Sequence, residues 1–304
     1  MSARSRQITR AHLRAAQAMG TVFSLTDHAS GGGAVRPALT QYLATSIVPW
    51  LREPAPPGVR RELLITASSL TYLCGFTHVD DELHGLAQRY YRLSATLADE
   101  AGDRTALAVA LRALSVQARG LGHHRDALRL AEAAVAEGRH APPRTRAFLH
   151  GQLAVAHAAL LERRPALEQL AAAEAGLVDA GAVRDASFTG GYHEASLAHQ
   201  RAVICWYFGD SRGAVAALQD SLRHRPDQER RSRAVVLAQL AEYQMRSGHL
   251  DAACATWSTF LEQRSALRSR RYDRAVALMR AYTRPYRNQP RVRALWQVAA
   301  RTPD

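Results

Sequence analysis

The strongest constraint on the fold is a short pattern, Gly-x-x-x-x-Ala, that recurs along the chain at intervals near 40 residues. It occurs at residues 122–127, 209–214 and 248–253, and residues 161–166 form a degenerate copy with leucine in the glycine position. A further copy centres on Ala87, so that successive alanines are 40, 39, 48 and 39 residues apart. A regular repeat of this length predicts an array of similar supersecondary units.

Each copy of the pattern separates two stretches whose apolar residues are spaced by three and four, as at residues 106–120, 125–136 and 233–246. That spacing predicts amphipathic α-helices, and strand patterns are nearly absent. The glycine turns the chain between two helices, and the alanine lies where those helices cross closely. Because one hairpin cannot bury its apolar face alone, we predict that the hairpins stack into an all-α superhelix.

These positions resemble the tetratricopeptide repeat (TPR) over roughly residues 64–264, and Pro226 falls at the closing proline of that repeat. The period exceeds the usual length of about 34 residues, and the first helices lack an initial tryptophan. The resemblance implies a TPR-like superhelix of five hairpins at residues 61–264. N-terminal helices at 1–60 would pack on the array, and basic capping helices at 265–304 would follow it. A generic helical array without TPR geometry is the alternative.

A second resemblance rests on residues 26–43, which contain three consecutive glycines, and on residues 74–80, 85–91 and 97–103, with a weaker block at 188–195. These segments resemble the sensor portion of actinobacterial transcriptional regulators, in which a helix-turn-helix domain precedes TPR-like helices. The resemblance implies a regulator that binds a peptide segment or partner protein, in transcriptional or developmental control, and we expect a homodimer. About 25 residues precede the glycines, too few for a helix-turn-helix domain, so we expect a stand-alone sensor or a fragment.

In a TPR hairpin the first helix lines the concave groove, and its groove positions are counted back from the anchoring alanine. The aromatic and charged residues selected in this way are Tyr72, Phe76, Arg112, Arg119, Phe148, His199, Trp206, Tyr207, Glu242 and Arg246. Aromatic rings supply contact area and arginines orient an anion, so the set suits an anionic or extended peptide-like ligand. Packing of the same rings on adjacent helices is an equal alternative.

Peptide-sensing TPR regulators often hold the ligand backbone with a ladder of asparagines. This chain has one asparagine, Asn288, which lies outside the repeats. We therefore expect no clamp of that kind, and a short protein segment or a small acidic metabolite remains an alternative ligand.

Positive charge is concentrated at the C-terminal end of the chain. All 40 basic side chains are arginine and the formal net charge is +13, yet residues 264–301 alone hold eleven arginines and a single acid, Asp273. Such a segment can contact nucleic-acid phosphates or an acidic partner, with a solvated cap as the alternative. The residues considered for that contact are Arg268, Arg270, Arg271, Arg274, Arg284 and Arg287.

The sequence has no phosphate loop, GxSxG or HExxH pattern, so we expect no enzyme and no cofactor. An accessory protein or enzyme of secondary metabolism is a further alternative. The densest candidate metal cluster, His78, Asp80, Asp81 and His84, falls in a turn where we expect solvated side chains and no metal. We also expect the triple glycine to be a flexible turn. No apolar run is long enough to span a membrane, and the three dispersed cysteines indicate a reducing cytoplasm.

Overall fold

The computed structural model describes residues 7–181, 191–264 and 267–301, and every regular element in these ranges is helical. The helices are α1 (Arg10–Ser30), α2 (Gly32–Tyr42), a π-helical turn (Leu43–Ile47), α3 (Val48–Arg52), α4 (Pro57–Asp80), α5 (His84–Glu100), α6 (Arg104–Gly120), α7 (His124–Glu137), α8 (Pro143–Ala159), α9 (Arg163–Ala180), α10 (Glu194–Tyr207), α11 (Ser211–His224), α12 (Arg230–Arg246), α13 (Leu250–Leu261), α14 (Arg270–Thr283), a 3₁₀ turn (Arg284–Tyr286) and α15 (Pro290–Arg301). None of the helices described is both long and apolar enough to cross a lipid bilayer.

Five helical hairpins form the body of the molecule, and each packs on the next. They are the pairs α4–α5, α6–α7, α8–α9, α10–α11 and α12–α13. The predicted all-α superhelix of stacked hairpins is therefore confirmed. The first hairpin helix begins at Pro57, slightly before the expected start of the array at residue 61. Residues 188–190 of the weak sequence block at 188–195 lie outside the described residues.

The repeated pattern has the same geometry in all five hairpins. Each anchoring alanine is the fourth residue of the second helix and has no exposed surface, as seen for Ala87, Ala127, Ala166, Ala214 and Ala253. The position five residues earlier has a positive φ in every hairpin, as seen for Glu82, Gly122, Leu161, Gly209 and Gly248. Glycine adopts this conformation without strain. Glu82 and Leu161 adopt the same conformation at a cost of about 1–2 kcal/mol. Because two residues other than glycine accept this cost, we infer that each hairpin requires the turn.

Helix α1 joins the two ends of the array because it contacts both α4 of the first hairpin and α12 of the fifth. Asp27 on α1 and Arg231 on α12 form an ion pair, with Oδ2 and Nη2 3.3 Å apart. Both side chains are buried. The hairpins and α1 together surround a central space.

The triple glycine forms a second contact between the chain ends, which we call the glycine closure (residues 30–33, 80–82 and 267–269). The amide of Gly33 donates to the carbonyl of Arg268 at 3.0 Å, and the amide of Arg268 donates to the carbonyl of Ser30 at 2.8 Å. A Cβ added at Gly31 would lie 2.7 Å from the Arg268 carbonyl oxygen. The expectation of a flexible turn is wrong, since these glycines permit a close backbone contact.

The glycine closure also explains why the histidine and aspartates at the end of α4 are not solvated, contrary to expectation. Side chains of His78, Asp80 and Asp81 are buried. Asp80 accepts a hydrogen bond from the amide of Gly32 at 2.8 Å, and Asp81 pairs with Arg36 at 2.5 Å. These polar groups therefore have structural partners. Within the described ranges, no group of three histidine, cysteine or acidic residues is arranged to hold a metal.

The C-terminal helices pack on the fifth hairpin, with α14 on α12 and α15 on α13. Tyr272, Val276 and Met279 form the buried face of α14 and contact a cluster that contains Trp257 and Phe260. Both helices lie within residues 265–304, where capping helices were expected. This packing directs the N-terminal end of α14 toward the central space.

Candidate ligand-binding cavity

The central space contains a cavity of about 260 Å³, which we call the central cavity. Its walls come from the first helix of every hairpin, from α1 and α14, and from the turns before α10 and α12. The residues that line it are Asp27, His28, Tyr72, Leu73, Phe76, Arg112, Phe148, Gly191, Tyr192, His193, Ser196, His199, Gln200, Arg225, Glu229, Arg231, Ser232, Val235, Val236 and Arg271. Its volume is near the lower end of ligand pockets, which suits a small molecule or the end of a peptide.

One wall of the central cavity is an arginine held on an aromatic surface. The Arg112 guanidinium lies 3.4 Å from the centroid of the Phe148 ring, and its Nε donates to the Phe148 carbonyl at 3.1 Å. Tyr192 also packs against Phe148, with ring centroids 5.4 Å apart. The stacking and the hydrogen bond together fix the plane of the guanidinium.

The turns before α10 and α12 contribute a network of ion pairs to the cavity lining. Arg225 and Glu229 are 2.7 Å apart, and Nε2 of His193 is 2.9 Å from the second oxygen of Glu229. Burial alone would raise the pKa of Glu229. The hydrogen bond with His193 and the charge of Arg225 outweigh burial and hold this pKa below its usual value. Arg225 therefore already has its counter-ion.

Arg231 and His199 also line the cavity, and they differ in charge. Arg231 pairs with Asp27 and lies 4.3 Å above the ring of Phe76, which links the charged and aromatic parts of the wall. His199 hydrogen-bonds to Gln239 at 2.6 Å. Burial lowers the pKa of His199 to about 4, so its imidazole is neutral at physiological pH. The lining thus combines four arginines with two carboxylates, Asp27 and Glu229.

A second pocket of about 340 Å³ lies between α12, α13 and α14, and we call it the cap pocket. Trp206 stacks on Tyr243 with ring centroids 3.9 Å apart, and the Arg246 guanidinium lies 4.9 Å from the Trp206 ring. Glu242 pairs with Arg246 at 3.4 Å and accepts a hydrogen bond from the Tyr282 hydroxyl at 3.2 Å. Glu242 and Arg246 are therefore paired within the cap pocket.

The groove residues chosen from the sequence are therefore divided between two places. The residues that line the central cavity are Tyr72, Phe76, Arg112, Phe148 and His199, while Trp206, Glu242 and Arg246 line the cap pocket. Arg119 and Tyr207 line neither pocket, and a 3.4 Å hydrogen bond joins them between the second and fourth hairpins.

The basic residues chosen near the C-terminus also differ in their surroundings. Arg271 lines both pockets, and Arg274 pairs with Glu82 at 3.0 Å. The remaining four are exposed on the outer surface, namely Arg268, Arg270, Arg284 and Arg287.

Sequence reasoning missed the cavity residues that lie outside the repeat register. Asp27 comes from α1 and Arg271 from α14, and counting back from an anchoring alanine cannot reach either helix. Arg231 lies near the start of α12, before the groove positions that were counted in the fifth hairpin. The sequence does place Arg271 directly before Tyr272, the first buried residue of α14, and this position could have indicated that Arg271 is not fully solvated.

No protein-family model and no curated protein sequence matches the chain. Among solved structures it is similar to the crystal structure of a Rap protein complexed with competence and sporulation factor, with a TM-score of 0.59. The match covers 96% of this chain and 86% of that chain at 9% sequence identity. The likeness supports the TPR-like helical-repeat fold, and at this identity it shows the fold alone.

Proposed function

We propose that this chain is a non-enzymatic regulatory protein that binds a peptide segment or a segment of a partner protein at the central cavity. The observation that carries the proposal is the cavity itself, where the first helices of all five hairpins meet and four of them present aromatic or arginine side chains. The Rap protein with a similar fold was crystallised with competence and sporulation factor, which supports a ligand of this class.

The surroundings of the cavity hydroxyls support binding rather than catalysis. Ser196 and Ser232 line the cavity, and neither hydroxyl is hydrogen-bonded to a histidine or carboxylate among the described residues. Activation of a serine nucleophile requires such a base within hydrogen-bond reach. The carboxylate of Glu229 is already paired with Arg225 and His193.

The finer parts of the proposal come from the sequence resemblance to actinobacterial regulators. On that basis the chain acts in transcriptional or developmental control, and it does so as a cytoplasmic homodimer. Its three cysteines carry free thiols, which supports a reducing compartment.

Replacing a cavity aromatic tests the peptide-binding proposal. We expect the wild-type chain to enrich peptides from a randomised hexapeptide pool, and Phe76→Ala to bind the enriched peptides at least tenfold more weakly. A buried aromatic anchor contributes more than about 1.4 kcal/mol, which corresponds to a factor of ten. Affinity selection followed by calorimetry of individual peptides measures the effect.

The matched control for that experiment is Tyr286→Ala, which removes an exposed aromatic ring that does not line the cavity. It should bind like the wild type. Failure of the wild type to enrich any peptide, or equal binding by Phe76→Ala, would contradict the proposal.

The exposed arginines of the C-terminal helices support a second candidate function, nucleic-acid binding. Arg284 and Arg287 are exposed and have no acidic partner within 4 Å in the described part of the chain. If they contact phosphates, Arg284→Gln with Arg287→Gln should reduce the slope of log affinity against log salt by about 2. Fluorescence anisotropy with a duplex oligonucleotide measures that slope, and a salt-independent signal in the wild type would exclude this candidate.

A further inference from the structure

Two arginines of the central cavity lack the acidic partner that the other two have. Arg225 pairs with Glu229 and Arg231 with Asp27. Arg112 and Arg271, by contrast, have no carboxylate within 4 Å among the described residues. The side chain of Arg271 also makes no hydrogen bond to any residue that the structure describes. Its guanidinium is therefore available to a ligand in the cavity.

Asp80 is the acid whose charge acts most strongly on Arg271, but its carboxylate lies more than 4 Å from that guanidinium and accepts a hydrogen bond from the amide of Gly32. The other neighbouring groups carry no negative charge. Burial lowers the pKa of both Arg112 and Arg271, but a guanidinium stays protonated in proteins. Burial raises the pKa of the Tyr72 and Tyr91 hydroxyls, so these remain neutral. His199 is neutral as well. Unpaired charge in a buried site is costly, and an anionic ligand would remove that cost.

The two arginines line the same cavity from different helices. Arg112 belongs to α6 and Arg271 to the first turn of α14. Stacking on Phe148 holds the Arg112 guanidinium in one plane. A planar fork of N–H donors matches the two oxygens of a carboxylate in a bidentate arrangement.

We propose that the central cavity binds a carboxylate, held between Arg112 of α6 and Arg271 of α14. The proposal rests on the function proposed above and names the group that the cavity recognises. The free C-terminus of a short peptide is the preferred source, since the aromatic wall beside Arg112 offers contact area for the preceding residue. A small organic acid carries the same chemistry.

The test compares randomised hexapeptides with free C-terminal carboxylates against the same pool with C-terminal amides. We expect the wild-type chain to bind the free acids at least tenfold more tightly, and Arg271→Gln to lose that preference. The matched control, Arg270→Gln, changes the neighbouring exposed arginine and should keep it. Arg271→Gln breaks no ion pair, so its melting temperature should be no lower than that of the wild type.

A separate arm uses citrate as a small-acid probe in thermal denaturation. If citrate stabilises the wild type but not Arg271→Gln, the carboxylate site is supported. If no peptide is enriched in that case, only the proposed peptide binding is contradicted. Equal binding of acid and amide pools overturns the carboxylate site while the peptide function stands. No response to either probe overturns both.

Discussion

Replacing Arg231 by methionine will lower the free energy of unfolding by about 3–5 kcal/mol, the usual cost of removing one partner of a buried ion pair. Asp27 is 1% exposed and would be left without its counter-ion. Burial already raises the pKa of Asp27, and the charge of Arg231 is the main influence that opposes this rise. Guanidinium denaturation followed by circular dichroism measures the loss.

The double variant Asp27→Asn with Arg231→Met separates the ion pair from general damage to packing. Removing both charges eliminates the uncompensated carboxylate, so at least half of the lost stability should return. Arg230→Met is the matched control because Arg230 is the exposed neighbour on the same helix, and its effect should stay within about 0.5 kcal/mol. A double variant as unstable as Arg231→Met would show that the ion pair is not responsible.

Substitution of Gly31 by alanine is expected to cost about 2–4 kcal/mol. Gly31 has φ 83° and ψ 167°, a region that is open almost only to glycine and costs other residues about 1–3 kcal/mol. The new methyl group would also meet the Arg268 carbonyl oxygen at 2.7 Å, which adds steric strain. Thermal denaturation measures the total effect, and amide hydrogen exchange at Arg268 reports the opening of the glycine closure.

Gly85→Ala provides the control for that substitution. Gly85 lies in the first turn of α5, and an added Cβ there meets no atom within 4 Å. Alanine also has the higher helix propensity, so this change should be neutral or stabilising by up to about 1 kcal/mol. Similar destabilisation by both alanines would contradict a specific role of the glycine closure.

The repeat was predictable because its determinants are local. A small residue at the hairpin crossing and a positive φ five residues before it are both encoded within one copy, as at Gly122 and Ala127. The copies at Glu82 and Leu161 show that tertiary packing enforces the same turn where the local preference opposes it. Periodicity therefore identified the array even though two of five glycines are replaced.

The glycine closure and most of the central cavity could not be predicted in this way. Contacts between residues 33 and 268, or between Asp27 and Arg231, join segments more than 200 residues apart and depend on the summed curvature of five hairpins. Polar residues such as Asp80 were expected in solvent because a turn is normally exposed. Asp80 is buried because residues 30–33 and 267–269 pack against the end of α4.

The contact of α1 with both α4 and α12 has a consequence for how the molecule unfolds. Open solenoids behave as one-dimensional chains, in which end repeats fray first and stability adds up repeat by repeat. Here α1 packs on both the first and the fifth hairpin, and backbone hydrogen bonds also connect residues 30 and 33 with residue 268. The two ends of the array are therefore connected, and neither the first nor the fifth hairpin is a free end. The five hairpins should therefore unfold in one cooperative step, and a ligand that stabilises one hairpin should stabilise the whole array against unfolding.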